Sequence, residues 1–428
     1  MTNDQLQSRR DLVFGRGAEL FYDEPIELVR GEGAYLYDRD GRRYVDLYNN
    51  VPCVGHGNVA VAEAMAAQQR TLNVHNRYLH GAILDFAERL CATHHDGIES
   101  VVFSCTGTEA NEVALRMARE VTGARGIVCT DAAYHGSSGL VDTLTYVGQN
   151  QSPTHMVRGF PFPDLYRPLT AGLTEEALTG VYLNRVDDAI NALRKAGHGF
   201  AALIICPILA NEGLPRVPAG FMSRLSALVR DAGGLLIADE VQSGYCRTGT
   251  WWAYTQEHIE PDIVVSGKPM GNGLPLAATA ACRDYVETFR RATGYFNTFA
   301  STPLQAAAGM AVMDEIERKS LADNAAVVGQ WLSRELAAIS EGHPYVGDVR
   351  GRGLFASLEM VTDRATKTPA PDAARWIANA MKDAGFLLSN AGTSGHVVKI
   401  RPPLVFSQQD AEATVSAMQQ TLQKLRDA

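Results

Sequence analysis

Lys268 stands in PDIVVSGKPMGNGLPLAA, directly after an apolar run and before a turn rich in Gly and Pro. A lysine carried into a site at a strand end can shed its proton, attack a carbonyl carbon and form a Schiff base. Loop lysines usually have polar neighbours, whereas here the neighbours are Gly267, Pro269, Met270 and Gly271. Upstream, LLIADEVQSGYCRTG delivers Asp239 and Glu240 at the end of another apolar run, which is where ligands of open α/β sheets bind. A carboxylate there can pair with a protonated ring nitrogen, because an unpaired buried charge is costly. The same two residues also suit a helix cap with surface charge. A third segment, CTGTEANEVALRMAR, ends a strand at Cys105 and opens a helix after a glycine. Free amides at Gly107 and Thr108, with the hydroxyls of Thr106 and Thr108, suit a phosphate. A strand–Gly–helix turn of this kind also serves purely structural ends. The GxGxxG dinucleotide fingerprint is absent from this position.

Positioning these groups requires a particular scaffold. Short β-branched runs at 100–105, 126–130, 202–206, 235–239, 262–266 and 276–282 are apolar throughout, as strands covered on both faces must be. Between them, 108–120, 183–195 and 219–231 have helical periodicity, the last ending at Gly233 and Gly234. This alternation predicts an α/β chain with a mainly parallel sheet. Residues 27–47 alternate like a hairpin turning at Asp40-Gly41. Toward the other end, a long helix from 304 to 338 breaks near 320, strands follow at 353–360 and 396–401, and Ser407 with Asp410 forms a capping-box pair for a final helix. The expected organisation is a large domain over 51–310 and a smaller α+β domain built from 1–50 and 311–428. Residues 151–180, Pro-rich and weakly periodic, read as a surface excursion.

The 428 residues carry 39 Lys plus Arg against 48 Asp plus Glu, a net charge of −9. That leaves no overall basic field for a nucleic acid or an anionic membrane. The first residues lack an apolar leader segment, and no run of ~18 apolar residues occurs. Seven cysteines are scattered without a CxxC pair and no HExxH occurs among the eleven histidines, so reduced core thiols, no metal site and a cytoplasmic location are expected.

Taken together, TGTEAN, AYHG, ADEVQSGYCRTG and SGKPMGNGLPLAA resemble the class III aminotransferases, fold-type I enzymes that depend on pyridoxal 5′-phosphate, from about residue 20 to residue 425. The resemblance implies a seven-stranded sheet and assigns roles. Lys268 is similar to the lysine that carries the cofactor as a Schiff base and shuttles the proton at Cα. Asp239 corresponds to the aspartate facing the ring nitrogen, Val241 and Tyr134 to the residues on the two ring faces, and Gln242 to a side chain near the ring hydroxyl. Gly107 and Thr108 become phosphate donors, and His135 adjoins the cofactor or stabilises a turn. Thr298, in YFNTFASTP, is similar to the threonine that reaches the neighbouring subunit's phosphate, implying a homodimer with shared sites, or a tetramer. Arg247 and Thr248 order a loop.

Within the family, LYNNVPCVGH, NRYLHG and GYFNTF are similar to the subgroup of alanine–glyoxylate aminotransferases and of phospho-lyases acting on phosphoethanolamine or phosphohydroxylysine. Two reactions follow as expectations: transamination between a small amino donor and a keto-acid acceptor, or elimination from a phosphorylated amino alcohol. Asn50, Lys399 and Arg401 are the expected substrate contacts, Lys399 and Arg401 sharing a strand face in VVKIRPPLVF, with a solvent-facing basic strand edge as the plainer reading of that pair. The sequence departs from the family at Cys206, where a glutamate is usual; Glu212 is either its replacement or a surface loop residue. Asn58 and Val59 replace the usual His-Pro and read as a local turn variation.

Overall fold

The structure, a computed structural model, describes residues 2–145 and 156–427. At its centre a seven-stranded sheet runs in the spatial order Ser100–Ser104, Ala277–Ala281, Ile263–Ser266, Leu235–Asp239, Ala202–Ile205, Ile127–Thr130, Val157–Phe160. Five of these strands pair in parallel, and Ala277–Ala281 is antiparallel to both of its neighbours. The inner strands are wholly buried, as their unbroken apolar runs require. Six strands fall where the sequence places them. The seventh, Val157–Phe160, lies inside the stretch read as a surface excursion; its VRGF carries an Arg and a Gly at the sheet edge, so the apolar signal is missing. Residues 151–155 of that stretch lie outside the described residues, and its remainder enters the helix Glu175–Lys195, which starts eight residues before the expected 183 because Thr174 caps it.

The helix Gly107–Thr122 crosses behind the sheet with a capping box: Glu109 N–H donates to Thr106 Oγ1 at 3.1 Å, and the Glu109 carboxylate accepts from Thr106 N–H at 3.2 Å. Such a cap is worth about 1 kcal/mol. The expected break near 320 is real. Helices Pro303–Arg318 and Leu321–Ser340 meet at Ser320, which has φ +49°. Ser407 and Asp410 cap Gln408–Asp427 reciprocally, at 3.0 and 3.1 Å. Asn58 caps Val59–Thr71 and also donates to Glu315 at 2.8 Å, so the departure there is structural.

The N-terminal hairpin gains a third strand, Leu28–Glu32, ahead of Tyr35–Asp38 and Arg43–Asp46. Phe386–Leu387 then pairs in parallel with Val45–Asp46, knitting the two ends of the sequence into one small sheet. A second small sheet holds Val346–Gly351, Ala356–Asp363, Ser389–Ala391 and Val397–Ile400. The strand expected at 353–360 starts at Ala356 because Gly353, φ +55°, turns under residues 247–248, where a Cβ would come 2.4 Å from the Arg247 carbonyl. The Arg247 guanidinium donates to the carbonyls of Leu354, at 2.9 Å, and Pro402, so it orders loops, as expected. Its burial pushes its pKa down to about 9.

Candidate active site

One cavity of about 320 Å³ opens at the carboxyl ends of the central strands, within the usual size range of small-molecule sites. Gly107, Thr108, Tyr134, His135, Asp239, Val241, Gln242 and Lys268 all line it. Asn50, Thr298, Lys399 and Arg401 do not. Asn50 is buried next to the lining residue Val51, with its amide nitrogen unpartnered. The turn that carries it is held by the buried Asp46, which accepts from Tyr48 N–H and Asn49 N–H at 2.9 Å each. Thr298 is exposed beside Phe299, which is 76% exposed.

At the helix end of the cavity, the amides of Gly107 and Thr108 precede the first helical hydrogen bond, Ala110 N–H to the Thr106 carbonyl at 3.0 Å. Donors of this kind suit an anion. A Cβ on Gly107 would lie 2.9 Å from the Val241 methyls, and one on Gly136 would lie 2.5 Å from Thr108 Oγ1. Glycine is therefore what allows backbone and cavity to meet here.

Strand alternation separates the two acids after Ala238. Asp239 lines the cavity and accepts from His135 Nδ1 at 2.6 Å, Asn111 Nδ2 at 3.0 Å and Val241 N–H at 3.0 Å. Glu240 turns the other way and is fully buried, accepting from Ser243 Oγ and, at 2.8 Å, from Tyr254 N–H. It is not a surface charge: it holds the first turn of the short helix Ala253–Glu257, and burial raises its pKa to about 7. Lys268 is half-buried in the cavity wall, and desolvation, reinforced by the positive charge of Arg401, lowers its pKa. That favours the neutral, nucleophilic amine.

Lys399 and Arg401 are buried rather than solvent-facing. Lys399 Nζ donates to the Ala210 carbonyl at 2.9 Å and to Gln242 Oε1 at 3.4 Å. Arg401 donates to the same Gln242 oxygen and, through Nε, to the Tyr48 carbonyl at 3.0 Å. Neither shares a hydrogen bond or ion pair with a carboxylate among the described residues. Desolvation depresses both pKa values, that of Lys399 strongly. Glu212 is also buried, which excludes the surface-loop reading; one carboxylate oxygen accepts from Thr130 and the other has no partner. Cys206 lines the cavity with its thiol pushed up to about 12 by burial.

Asn111 and Asn211 are the polar cavity residues that the sequence reading missed. Asn111 had a detectable signal, since it sits one helical turn beyond Gly107 and so shares its face. Asn211 had none, because the path of its loop is set by tertiary contacts.

A lysine, an aspartate and a helix N-terminus converging at the carboxyl ends of a mainly parallel sheet define a fold-type I pyridoxal phosphate enzyme. The residues present fit that cofactor: free amides for its phosphate, a carboxylate for its ring nitrogen and an amine of lowered pKa for its aldehyde. Residues 21–422 match the family model "Aminotransferase class-III", and the chain belongs to that family, whose members use pyridoxal phosphate. It is 36% identical over 414 residues to "Alanine--glyoxylate aminotransferase 2-like" of Drosophila melanogaster, covering 94% of this chain and 84% of that protein. "Ethanolamine-phosphate phospho-lyase homolog 1" of Caenorhabditis elegans is 31% identical over 439 residues, covering 98% and 94%. A solved phospholyase from Arthrobacter in complex with phosphoethanolamine superposes with TM-score 0.94 at 37% identity, covering 98% and 99%.

Proposed function

We propose that the protein transfers an amino group from a small amino acid or amine to an α-keto acid, with Lys268 as the Schiff-base lysine. The observation that carries this is the convergence of Lys268, Asp239, Gly107 and Thr108 on one cavity. Bound pyridoxal phosphate supplies an electron sink for the carbanion left when a substrate amine loses its Cα proton. Lys268, whose pKa is lowered by desolvation, is the base that takes this proton and returns it. Asp239, fixed by three donors, keeps its carboxylate towards the ring nitrogen. Tyr134 and Val241 confine the ring, and the amides of Gly107 and Thr108 bind the phosphate.

A second reading, elimination of phosphate from a phosphorylated amino alcohol, is favoured by Lys399 and Arg401. Burying two cations costs several kcal/mol each unless an anion joins them, and their hydrogen-bond partners are carbonyl and amide oxygens, with the rings of Phe355 and Tyr48 packed against them. A substrate phosphate, or a carboxylate in transamination, would complete the set.

One assay separates the readings. The holoenzyme is incubated with phosphoethanolamine, and separately with alanine plus an α-keto acid, while phosphate, ammonia and keto products are measured. Stoichiometric ammonia without an acceptor rules out transamination. We further propose a homodimer, supported by exposed apolar side chains near Thr298 and on the 76–81 segment, where Leu79 is 99% exposed; sedimentation tests it. A cytoplasmic location is proposed from seven free cysteines, and cell fractionation tests it. Among the described residues no helix is long and apolar enough to cross a membrane. Division of the chain at residues 50 and 310 belongs to the same reading and is tested by limited proteolysis.

A further inference from the structure

The loop after the strand Ala202–Ile205 contains three residues with left-handed backbones in six positions: Leu209 (φ +50°), Gly213 (φ +103°) and Leu214 (φ +58°). Leucine adopts such angles only where its surroundings impose them. Here Leu209 N–H donates to the Cys206 carbonyl at 2.9 Å, and Leu214 N–H donates to the Leu209 carbonyl at 3.1 Å. Ser357 Oγ donates to the Gly213 carbonyl at 3.2 Å, and a Cβ on Gly213 would lie 2.9 Å from a Val397 methyl. Thr130 holds Glu212 from the opposite side. The loop is therefore a fixed frame.

Asn211, at the centre of this frame, lines the cavity and joins two parts of the site. Its Nδ2 donates to the Tyr134 carbonyl at 3.0 Å, and its Oδ1 accepts from Gln242 Nε2 at 2.8 Å. The other end of the Gln242 amide accepts from Lys399 and Arg401. A continuous chain of hydrogen bonds thus runs from the backbone of Tyr134 through Asn211 and Gln242 to the two buried cations.

We propose that Asn211 is a positioning residue that couples occupancy of the Lys399–Arg401 anion site to the placement of Tyr134 on the cofactor ring. This rests on the roles given to those residues under Proposed function. Gln242 Oε1 occupies the N–H groups that a substrate anion needs, so it stands in for that anion in the free enzyme. When an anion binds, it competes for those donors and releases the Gln242 oxygen. The Gln242 amide then has two states, with and without the cations, and Asn211 transmits the change to Tyr134 because the loop around it does not yield. A chain of this kind is cooperative, each bond polarising the next.

The test titrates the purified holoenzyme with inorganic phosphate, following binding by calorimetry and the visible band of the bound cofactor by absorption. The wild type is expected to bind phosphate and to shift its band. In Asn211→Ala, phosphate should still bind, within about tenfold of the wild-type affinity, since the two neutral hydrogen bonds lost are modest and neither touches a cation, while the band no longer responds. Gln242→Ala cuts the chain at its other link and should lose the response while binding phosphate at least as tightly, since its oxygen no longer occupies the cations. Either variant alone supports the coupling if the other fails to fold. A band that still shifts in either variant overturns the proposal, as does a wild type that binds no phosphate or binds it without a spectral change. The reading under Proposed function fails separately, by absence of turnover with both substrate sets, whatever this titration gives.

Discussion

His135 Nδ1 lies 2.6 Å from Asp239 Oδ2, with both side chains buried at the cavity wall. The histidine follows Tyr134 directly, so one segment supplies both a cavity-lining side chain and the donor that orients the carboxylate. Asn111 completes the arrangement by donating to Asp239 at 3.0 Å and to the His135 carbonyl at 2.8 Å. Replacing Asp239 with Asn leaves the shape and removes the charge proposed to face the ring nitrogen. The expected loss in kcat is about 10²–10³-fold, the size seen when a preorganised electrostatic partner is removed. His135→Ala removes one of three donors and should cost about tenfold. Steady-state kinetics on the two variants checks the ranking, and equal losses would contradict it.

Lys268→Ala removes the amine proposed to attach the cofactor. The purified variant should lose the visible band of the lysine-bound cofactor, and turnover should fall by about 10⁴-fold or more, as for other covalent-catalysis residues. Retention of the band would show that another group carries the cofactor.

Gly107→Ala places a methyl 2.9 Å from Val241. Overpacking of this kind typically costs 1–3 kcal/mol, and here it also narrows the approach to the amides. Cofactor affinity, measured by equilibrium dialysis, should fall about tenfold or more, and Val241→Ala in the same chain should restore much of it.

Glu240 gives the fold a pH signature of its own. Burial raises its pKa from 4.5 to about 7, so the native state holds this proton over a range where the unfolded chain has released it. Its stabilising contribution is fully present below pH 4.5 and is lost as pH rises through about 7. The loss amounts to roughly 3 kcal/mol. Glu240→Gln keeps a carbonyl oxygen for Tyr254 N–H and should therefore show a smaller fall in melting temperature between pH 5 and pH 8. Identical profiles for variant and wild type would place the titration elsewhere. Glu359 titrates in the opposite sense: His396, at 2.7 Å, and two arginines hold its pKa at about 2 against the cost of burial.

Legibility in the sequence followed the source of each signal. The central strands were readable because burial on both faces forces unbroken apolar runs, and the site residues at their ends stood out because Lys268 and Asp239 interrupt those runs. Val157–Phe160 was not readable because an edge strand tolerates Arg158 and Gly159. The strand Val346–Gly351 was missed for a similar reason, its VGDVRG being too polar to register. The burial of Glu212, Lys399 and Arg401 is a product of tertiary packing, and no local pattern encodes it. The pivotal position of Asn211 likewise depends on where Gln242 and Tyr134 arrive.

The pairing of Phe386–Leu387 with Val45–Asp46 also bears on how the protein is made. Arg401 is held by the backbone at Tyr48, 353 residues away in sequence, whereas the groups around Asp239 come from the middle of the chain. Contacts of such long sequence separation form late. A nascent chain can thus shape its cofactor cup while still on the ribosome, and the cationic end of the site follows only when synthesis has passed residue 401.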